Sequence, residues 1–268
     1  MTLSVAESSY LYDSLQQSPP IRPDGRKINQ FRPIQTNIGF LESTNGSAKI
    51  TLSDGSECIV SIKSKVVEKA AIASGRENLI DVDVEVPGYR DDSAFISNLI
   101  STLQSIYTNY ISRESLNLTS RFTYKLFIDV LVIANYSYPL SLISFTTYLA
   151  LKNTYLPKLI SSVDDKEIEE QPTFHDYEFN RLEIEVPIIF TIAVINNNYI
   201  MDPNAQEMEV SDNGLIISWY NRKVITPIET IKLNEGHVKA VKPELIINSI
   251  DLVKSLGDSV IEALNKAE

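Results

Sequence analysis

Residues 138–151 read YPLSLISFTTYLAL, a segment that is apolar on nearly every side when it is drawn as a helix. Such a helix is buried rather than amphipathic, and Pro139 stands where a first helical turn tolerates proline. The preceding KLFIDVLVIA, residues 125–134, has the composition of a buried strand. The sequence therefore predicts a strand that runs into a buried helix, and we expect the rest of the chain to be built around that helix.

The turn between this strand and this helix bears on function. A helix N-terminus presents free N–H groups and is a natural anion site. Residues 135–140 read NYSYPL and contain no Gly-rich loop, no lysine and no arginine. The pattern predicts the scaffold of a phosphate site from which the positive charges are missing.

Composition bounds the class of protein. The chain has 268 residues, 43% of them hydrophobic, and a mean hydropathy of −0.06, which is typical of a globular protein with ample core. We expect no membrane span, because no run of about 20 apolar residues is present. We also expect no signal peptide, because the N-terminus lacks a basic region followed by an apolar one. The one cysteine, Cys58, is interpreted as a small buried strand residue, and it excludes an internal disulfide and a Cys-based zinc site.

The net charge of −11 limits the partners that the chain can bind alone. A protein that binds nucleic acid by itself usually carries a basic face, whereas this chain should be repelled by phosphate overall. If it handles nucleic acid, we expect a local patch, or an assembly whose other members supply positive charge.

Hydrophobic periodicity and turn residues predict the remaining elements. Helices are expected over residues 4–16, with Ser4 and Glu7 as a capping box, over 91–110, capped by Asp91 or Asp92, and over 243–267. Turns are expected at Asn45-Gly46 and Asp54-Gly55 and a hairpin tip at residues 196–198. Strands are expected over residues 34–40, 47–52, 57–67, 79–86, 181–186, 187–195, 199–201, 215–220 and 224–230.

Two predicted strands carry charged faces that have two interpretations each. Lys63 and Lys65 share a face of one strand, which favours either a solvated surface or a path for nucleic acid. In LIDVDVEV, residues 79–86, the carboxylates alternate strictly with apolar residues. That pattern favours an edge strand with a solvated face over metal or acid–base chemistry.

Three arginines, Arg22, Arg26 and Arg32, form the densest arginine group in the chain. They favour a surface turn with solvated charges, a turn pinned by pairing with Asp24, or a contact with a polyanion. The acidic run VDDKEIEEQ, residues 163–171, is interpreted as a solvated linker. We therefore divide the chain into an N-terminal helix (1–20), a first subdomain (21–165), an acidic linker (166–172) and a C-terminal subdomain (173–268), which together make an α+β protein.

The chemistry-bearing residues are few. His175 and His237 have no ligand partner at helical spacing, and no nucleophile or nucleotide motif is present. Asp202, in YIMDPNAQEME, follows a predicted buried strand, where a carboxylate can hold a metal or act as an acid, although Asp-Pro-Asn is equally an ordinary turn. We expect no metal site and no cofactor.

Taken together, four segments resemble the RNase PH family over residues 21–256. RPDGR at 22–26 with FRPI at 31–34 is similar to the N-terminal signature of the family, and DGSECIV at 54–60 to its strand entry. The buried helix after Ala134 and the strand that leads to Met201-Asp202-Pro203 follow in the expected order. SDGSECIVSIKSKVV, NTYLPKLIS, PTFHDYEF and DNGLIISW narrow the resemblance to the exosome ring subunits of this family.

The resemblance implies a fold of two β-sheet/helix subdomains and a hexameric ring with a central RNA channel. It also implies a degenerate site. Catalytic members of the family have a G-T-R motif where this chain has Tyr138, Pro139 and Leu140, so leucine replaces the phosphate-binding arginine. Their acidic residues align with Asp202, Asn204 and Met208, of which one remains acidic. Phosphorolysis needs the phosphate charge neutralised and an acid or metal beside it.

The resemblance therefore implies a non-catalytic structural ring subunit that supports 3′-to-5′ RNA processing and degradation in nucleus, nucleolus and cytoplasm. The implied partners are other RNase PH-like ring subunits, cap subunits with RNA-binding domains, an associated nuclease and RNA in the channel, with no membrane. The alternatives are a phosphate-dependent 3′-to-5′ exoribonuclease with a rearranged site and a free-standing RNA-binding module. Lys63 and Lys65 are the candidate RNA contacts.

Overall fold

The computed structural model contains both strands and helices, and it describes residues 3–160, 172–234, 236 and 238–266. The helices are α1 (Val5–Leu15), α2 (Lys69–Ala73), α3 (Ala94–Tyr110), α4 (Leu140–Lys152), α5 (Ala205–Glu209) and α6 (Pro243–Lys266), with a 3-10 turn at Glu114–Leu116. The strands are β1 (Ile34–Ile38), β2 (Gly46–Leu52), β3 (Glu57–Glu68), β4 (Ile80–Glu85), β5 (Phe122–Ala134), β6 (Tyr155–Leu159), β7 (Phe174–Arg181), β8 (Ile188–Ile195), β9 (Asn198–Met201), β10 (Asn213–Tyr220) and β11 (Lys223–Ile231).

These strands form three sheets. A five-stranded sheet has the order β1-β2-β3-β5-β4, a four-stranded sheet has the order β11-β10-β8-β9, and β6 pairs with β7 alone. All pairs are antiparallel except β4 with β5. The buried side chains of the two larger sheets and of α4 form one contiguous core. The architecture is α+β, as the sequence predicts.

The helix α4 lies between the two larger sheets, and all of its residues from Leu140 to Leu151 are buried. Against the first sheet, Gly46 makes the close approach possible, because a Cβ there would lie 2.7 Å from the carbonyl oxygen of Ala150. Against the second sheet, the hydroxyls of Ser141 and Ser144 accept hydrogen bonds from the backbone N–H groups of Thr191 and Ile189, at 2.8 and 2.9 Å. β9 pairs with β8 only from Ile192 to Ile195. The two serines of the helix thus bond to N–H groups of β8 that β9 does not reach.

The strand β4 is an edge strand with a charged outer face, so the interpretation of LIDVDVEV as an edge strand is confirmed. Its backbone is covered by one side chain from α3. Gln104 accepts a hydrogen bond from the N–H of Val82 at 3.0 Å and donates one to the carbonyl of Ile80. The carboxylates of Asp81, Asp83 and Glu85 point away from the core, which blunts the edge further.

Helix α6 crosses β10 at a second close contact. Gly257 is buried against the indole of Trp219, and any Cβ at residue 257 would overlap that ring. The inner face of this helix packs on the core, since Leu245 and Val253 are buried and Ile246, Ile250 and Leu256 pack against it. No helix in the described ranges is both long and apolar enough to span a membrane.

The structure corrects several local predictions. Ser93 caps α3, rather than Asp91 or Asp92, because its hydroxyl accepts from the N–H of Ile96. Pro139 is the N-cap of α4 and not its first helical residue. The turn predicted at Asn45-Gly46 ends earlier, since Gly46 already belongs to β2. The capping box of Ser4 and Glu7, the turn at Asp54-Gly55 and the buried Cys58 are as predicted.

The predicted strand over residues 181–186 is wrong. Residues 182–186 do alternate between buried and exposed, but they belong to no strand, and Leu182 donates its N–H to the carbonyl of Thr154. The strands β6 and β7 on either side of the acidic run were not predicted. The acidic run at residues 163–171 lies outside the described residues, as does the predicted linker (166–172) apart from residue 172, and the subdomain boundaries stay a prediction.

Candidate functional site

Asp202 lies at the end of β9, where it occupies a left-handed backbone conformation with φ of 49° and is 8% exposed. Its carboxylate accepts from the Arg32 guanidinium, with Nη2 to Oδ1 at 2.5 Å and Nε to Oδ2 at 3.0 Å. It also accepts from the backbone N–H of Arg32 at 2.8 Å and from Nη1 of Arg26 at 3.0 Å. Both carboxylate oxygens are therefore occupied by the protein's own donors.

Arg32 connects this carboxylate to the start of α4. Its Nη1 donates to Asp54 at 2.5 Å and to the hydroxyl of Ser137 at 2.9 Å, and Ser137 lies three residues before the helix. The guanidinium is buried among Asp202, Asp54 and Ser137. The turn before α4, residues 135–140, has no lysine or arginine of its own. It receives a cation from Arg32, whose guanidinium is already paired with Asp202 and Asp54.

The electrostatics follow from this pairing. Burial alone would raise the pKa of Asp202, but the hydrogen bonds and positive charge of Arg32, with Arg26 beside it, hold that pKa below the ordinary aspartate value. Burial lowers the pKa of Arg32 less than the two carboxylates raise it. Asp202 is therefore an anion at neutral pH, and a group that stays ionised and fully bonded is a poor proton donor or metal ligand.

A second buried ion pair lies next to the first. Arg22 binds Glu207 through two parallel bonds, Nε to Oε1 at 2.6 Å and Nη2 to Oε2 at 2.8 Å. Arg22 also donates to the carbonyls of Met201 and Asp202, so it fixes the backbone that presents the Asp202 side chain. Both partners are buried, and bidentate pairs of this kind are the strong ones.

The arginine group therefore differs from a solvated surface turn. Arg22 and Arg32 are buried, which contradicts that interpretation for both residues. Pairing with Asp24 is confirmed, since Nε of Arg26 lies 2.7 Å from its carboxylate. Burial opposes ionisation of Asp24, but Arg26 and Arg22 together lower its pKa.

The other predicted site residues have structural roles in packing, helix capping and hydrogen bonding. Leu140 is fully buried at the first position of α4. Asn204 is the N-cap of α5, where its Oδ1 accepts from the N–H of Glu207 at 2.9 Å, and its Nδ2 lies 3.3 Å from Asp24. The sulfur of Met208 accepts from the N–H of Tyr138 at 3.0 Å. The structure thus brings Asp202, Asn204 and Met208 together beside the turn before Leu140.

Glu207 is the member of this site that sequence reasoning missed. The signal was available, because Asn204 and Glu207 have the N-x-x-E spacing of a capping box, and Glu207 accepts from the N–H of Asn204 at 2.8 Å. A glutamate in a short helix gives no indication that it is also buried against an arginine 185 positions earlier. Among the described residues, no group of His, Cys, Asp and Glu could hold a metal ion.

The remaining candidates lie elsewhere. Lys63 and Lys65 are exposed on the outer face of β3, and Nζ of Lys63 lies 3.6 Å from Asp129. His175, in β7, lies 3.7 Å from Glu178. His237 is not among the described residues. None of the hydrogen bonds or ion pairs described above for the Asp202 site involves these residues.

Comparison with known proteins identifies the family. Residues 30–157 match the 3′ exoribonuclease family, domain 1, known as RNase PH. The chain is 49% identical over 266 residues to the exosome complex component RRP42 of Saccharomyces cerevisiae, an alignment that covers 98% of this chain and 99% of that protein. The chain belongs to the RNase PH family. More distant members are similar along most of their length, such as exosome complex component Rrp42 of Thermococcus kodakarensis, 25% identical over 92% of this chain and 90% of that protein.

Solved RNase PH-like structures share the fold. An archaeal exosome core superposes with a TM-score of 0.75 at 18% identity, covering 96% of both chains. An Archaeoglobus fulgidus exosome with RNA bound to its active site gives a TM-score of 0.74, also at 18% identity and 96% coverage of both chains. The RNase PH-like α+β fold predicted from the sequence is confirmed.

Proposed function

We propose that this chain is a non-catalytic structural subunit of the RNA exosome core ring. In that role it supports 3′-to-5′ RNA processing and degradation, including ribosomal RNA maturation, RNA turnover and mRNA decay, by channelling RNA to a nuclease elsewhere in the complex. The proposal is supported by the 49% identity to a named exosome component over nearly the whole of both chains.

The observation that favours a non-catalytic role is the state of Asp202. The family resemblance implies that Asp202 is the one acidic position that remains, and here Arg32 and Arg26 occupy both of its oxygens. A metal ligand would need a free lone pair facing the substrate, and a general acid would need a proton, which the ionised carboxylate of Asp202 does not hold. Leu140 and Met208 add no charge that could bind phosphate. The chain thus lacks both halves of a phosphorolytic site.

The proposed partners are the other RNase PH-like ring subunits, cap subunits with RNA-binding domains, an associated exosome nuclease and RNA that passes through the central channel. The net charge of −11 suits an assembly, because a free acidic chain repels RNA. We propose nucleus, nucleolus and cytoplasm as its locations. Gel filtration of the tagged protein from cells, followed by mass spectrometry, tests the assembly, and a monomer peak without ring subunits would overturn it.

Catalysis is tested directly with the purified chain, single-stranded RNA and inorganic phosphate. We expect no release of nucleoside diphosphates. Robust release that is abolished by Asp202→Ala, in a variant shown by circular dichroism to remain folded, would instead establish the alternative, a phosphate-dependent exoribonuclease with a rearranged site. Release that persists in Asp202→Ala would point to a contaminating enzyme, so this variant is also the control for purity.

Lys63 and Lys65 are proposed as RNA contacts within the ring. Lys65 is the stronger candidate, because Lys63 lies close to Asp129. In assembled rings, Lys65→Glu should weaken RNA crosslinking to this chain. Lys49→Glu is the control and should leave the crosslinking unchanged, because Lys49 is already paired with Glu57 at 2.7 Å. Equal crosslinking in both variants would remove Lys65 from the channel.

A further inference from the structure

The ribbon formed by β6 and β7 stands apart from the two larger sheets. One of its faces packs on the protein through Leu156 and through the ring of Phe174, which lies 6.0 Å from that of Tyr124. No other strand in the described part of the chain pairs with it. An isolated two-stranded sheet is marginal in water, and a free edge is a template for a further strand.

The outer face of this ribbon is aromatic. Directly opposite residues of antiparallel strands point to the same side, so the pairs Tyr155 with Arg181 and Pro157 with Phe179 place these side chains together. Tyr177 lies two residues before Phe179, where the pairing of the two strands becomes irregular. Tyr177 is 87% exposed, Phe179 54% and Tyr155 43%. Three large exposed rings on one short ribbon are more than scattered surface residues, and rings of this kind are enriched at protein interfaces.

The charges around the ribbon indicate the chemistry of its partner. Four carboxylates are exposed along β7 and the segment after it: Asp176, Glu178, Glu183 and Glu185. Two of these carboxylates are paired, Glu178 with Lys158 at 2.6 Å and Glu185 with Lys152 at 4.0 Å. Arg181, whose Nε donates to the carbonyl of Lys152 at 2.7 Å, adds one positive charge beside Tyr155. Asp176 has no ion pair among the described residues.

We propose that the ribbon is a docking surface for an extended, basic segment of a partner protein. The segment adds a strand to the free edge of β7, lays apolar side chains on Tyr177 and Phe179, and places lysine or arginine beside Asp176. A single-stranded RNA is disfavoured, because stacking on aromatic rings is accompanied by a basic groove for the phosphates in such sites, and here the exposed carboxylates around the ribbon outnumber the cations. Addition of a strand to an exposed edge is a common mode of peptide recognition. The inference rests on the proposed ring role only in that an assembly supplies the neighbouring proteins.

The first experiment places a photo-crosslinking residue at this surface in the full chain, expressed in cells. Tyr177→p-benzoylphenylalanine should crosslink to one segment of a partner protein, rich in lysine and arginine, that mass spectrometry identifies. Tyr10→p-benzoylphenylalanine is the matched control, because Tyr10 is a similarly exposed aromatic residue on α1. A crosslink no stronger than this control, or a crosslink to RNA, to a second copy of the chain or to a segment without basic residues, would overturn the inference.

The second experiment tests the energetics. Tyr177→Ser with Phe179→Ser should reduce recovery of the crosslinked partner about tenfold or more, as expected for the loss of aromatic anchors, while Tyr10→Ser should not. Asp176→Lys should weaken the interaction and reduce its sensitivity to salt. Unchanged recovery in the double variant would contradict the inference. Loss of RNase PH-like subunits from the wild-type preparation would instead contradict the ring proposal, so the two failures are distinguishable.

Discussion

At the scale of single residues, Asp202 is the counter-charge for two buried arginines. Asp202→Asn would leave Arg32 without its main partner and Arg26 without one of its partners. We expect a loss of about 3–5 kcal/mol in the free energy of unfolding, the usual cost of breaking a buried pair from one side. Urea unfolding measures it. Asp129→Asn is the control, because Asp129 pairs with Lys63 on an exposed face, where a loss of less than about 1 kcal/mol is expected. Equal losses would show that the Asp202 pair is not structurally important.

The substitution Leu140→Arg tests whether an arginine at the start of α4 is enough to give the chain phosphorolytic activity. If the family resemblance places Asn204 and Met208 at acidic positions of the site, as we propose, Leu140→Arg should give no phosphorolysis, because neither residue supplies a carboxylate. The structure adds that residue 140 is fully buried, so the new charge should also destabilise the fold. Leu140→Met, a change of shape without charge, should cost less than about 1.5 kcal/mol. Activity and urea unfolding are measured on both variants, and measurable phosphorolysis by Leu140→Arg would refute the reasoning.

At the scale of secondary structure elements, the cover of the β4 edge by α3 depends on Gln104. Gln104→Ala removes the side chain that bonds to Val82 and Ile80, which should cost about 1 kcal/mol. Amide hydrogen exchange in β4 should become faster. Ser105→Ala, at an exposed position of the same helix, should leave that exchange unchanged. Identical exchange in both variants would mean that solvent replaces the glutamine without loss.

The elements also show what the sequence predicts well. The buried helix, the Ser4 capping box and the edge strand with alternating carboxylates were predictable, because periodicity and caps are local signals. The ribbon of β6 and β7 was missed, because its strands pair across an intervening acidic segment and β7 is mostly exposed, so no hydrophobic period marks it. The strand predicted over residues 181–186 has the alternation of a strand but no ladder partner, and only the tertiary structure supplies partners.

The candidate site divides in the same way. Asp202 could be singled out from its position after a buried strand, and Leu140, Asn204 and Met208 from a family resemblance. The pairing of Arg22 with Glu207 and of Arg32 with Asp202 spans 185 and 170 positions. Pairing over such separations is set by the packing of whole elements. The sequence therefore predicted the candidate positions, and the structure shows that the carboxylate of Asp202 is paired with Arg32 and Arg26.

At the scale of the whole molecule, the buried carboxylate of Asp202 couples folding stability to pH. The pKa of Asp202 in the folded protein lies below the ordinary aspartate value of 3.8, because Arg32 and Arg26 favour the ionised form. The folded state therefore binds fewer protons than the unfolded state in this range, so stability rises with pH through it. The contribution of Asp202 is fully present above the unfolded value and is lost as the pH falls through the lower folded value.

We therefore expect the free energy of unfolding to be nearly independent of this group above about pH 5 and to fall steeply below about pH 4. Urea unfolding at a series of pH values measures the slope. In Asp202→Asn the residue at 202 no longer titrates, so the decline below pH 4 should become shallower while stability at neutral pH is already reduced. Asp24, whose pKa is also lowered by Arg26 and Arg22, remains in the variant and accounts for part of the residual slope. An acid slope that is the same in the variant and in the wild type would show that Asp202 is not the carboxylate that couples folding to pH.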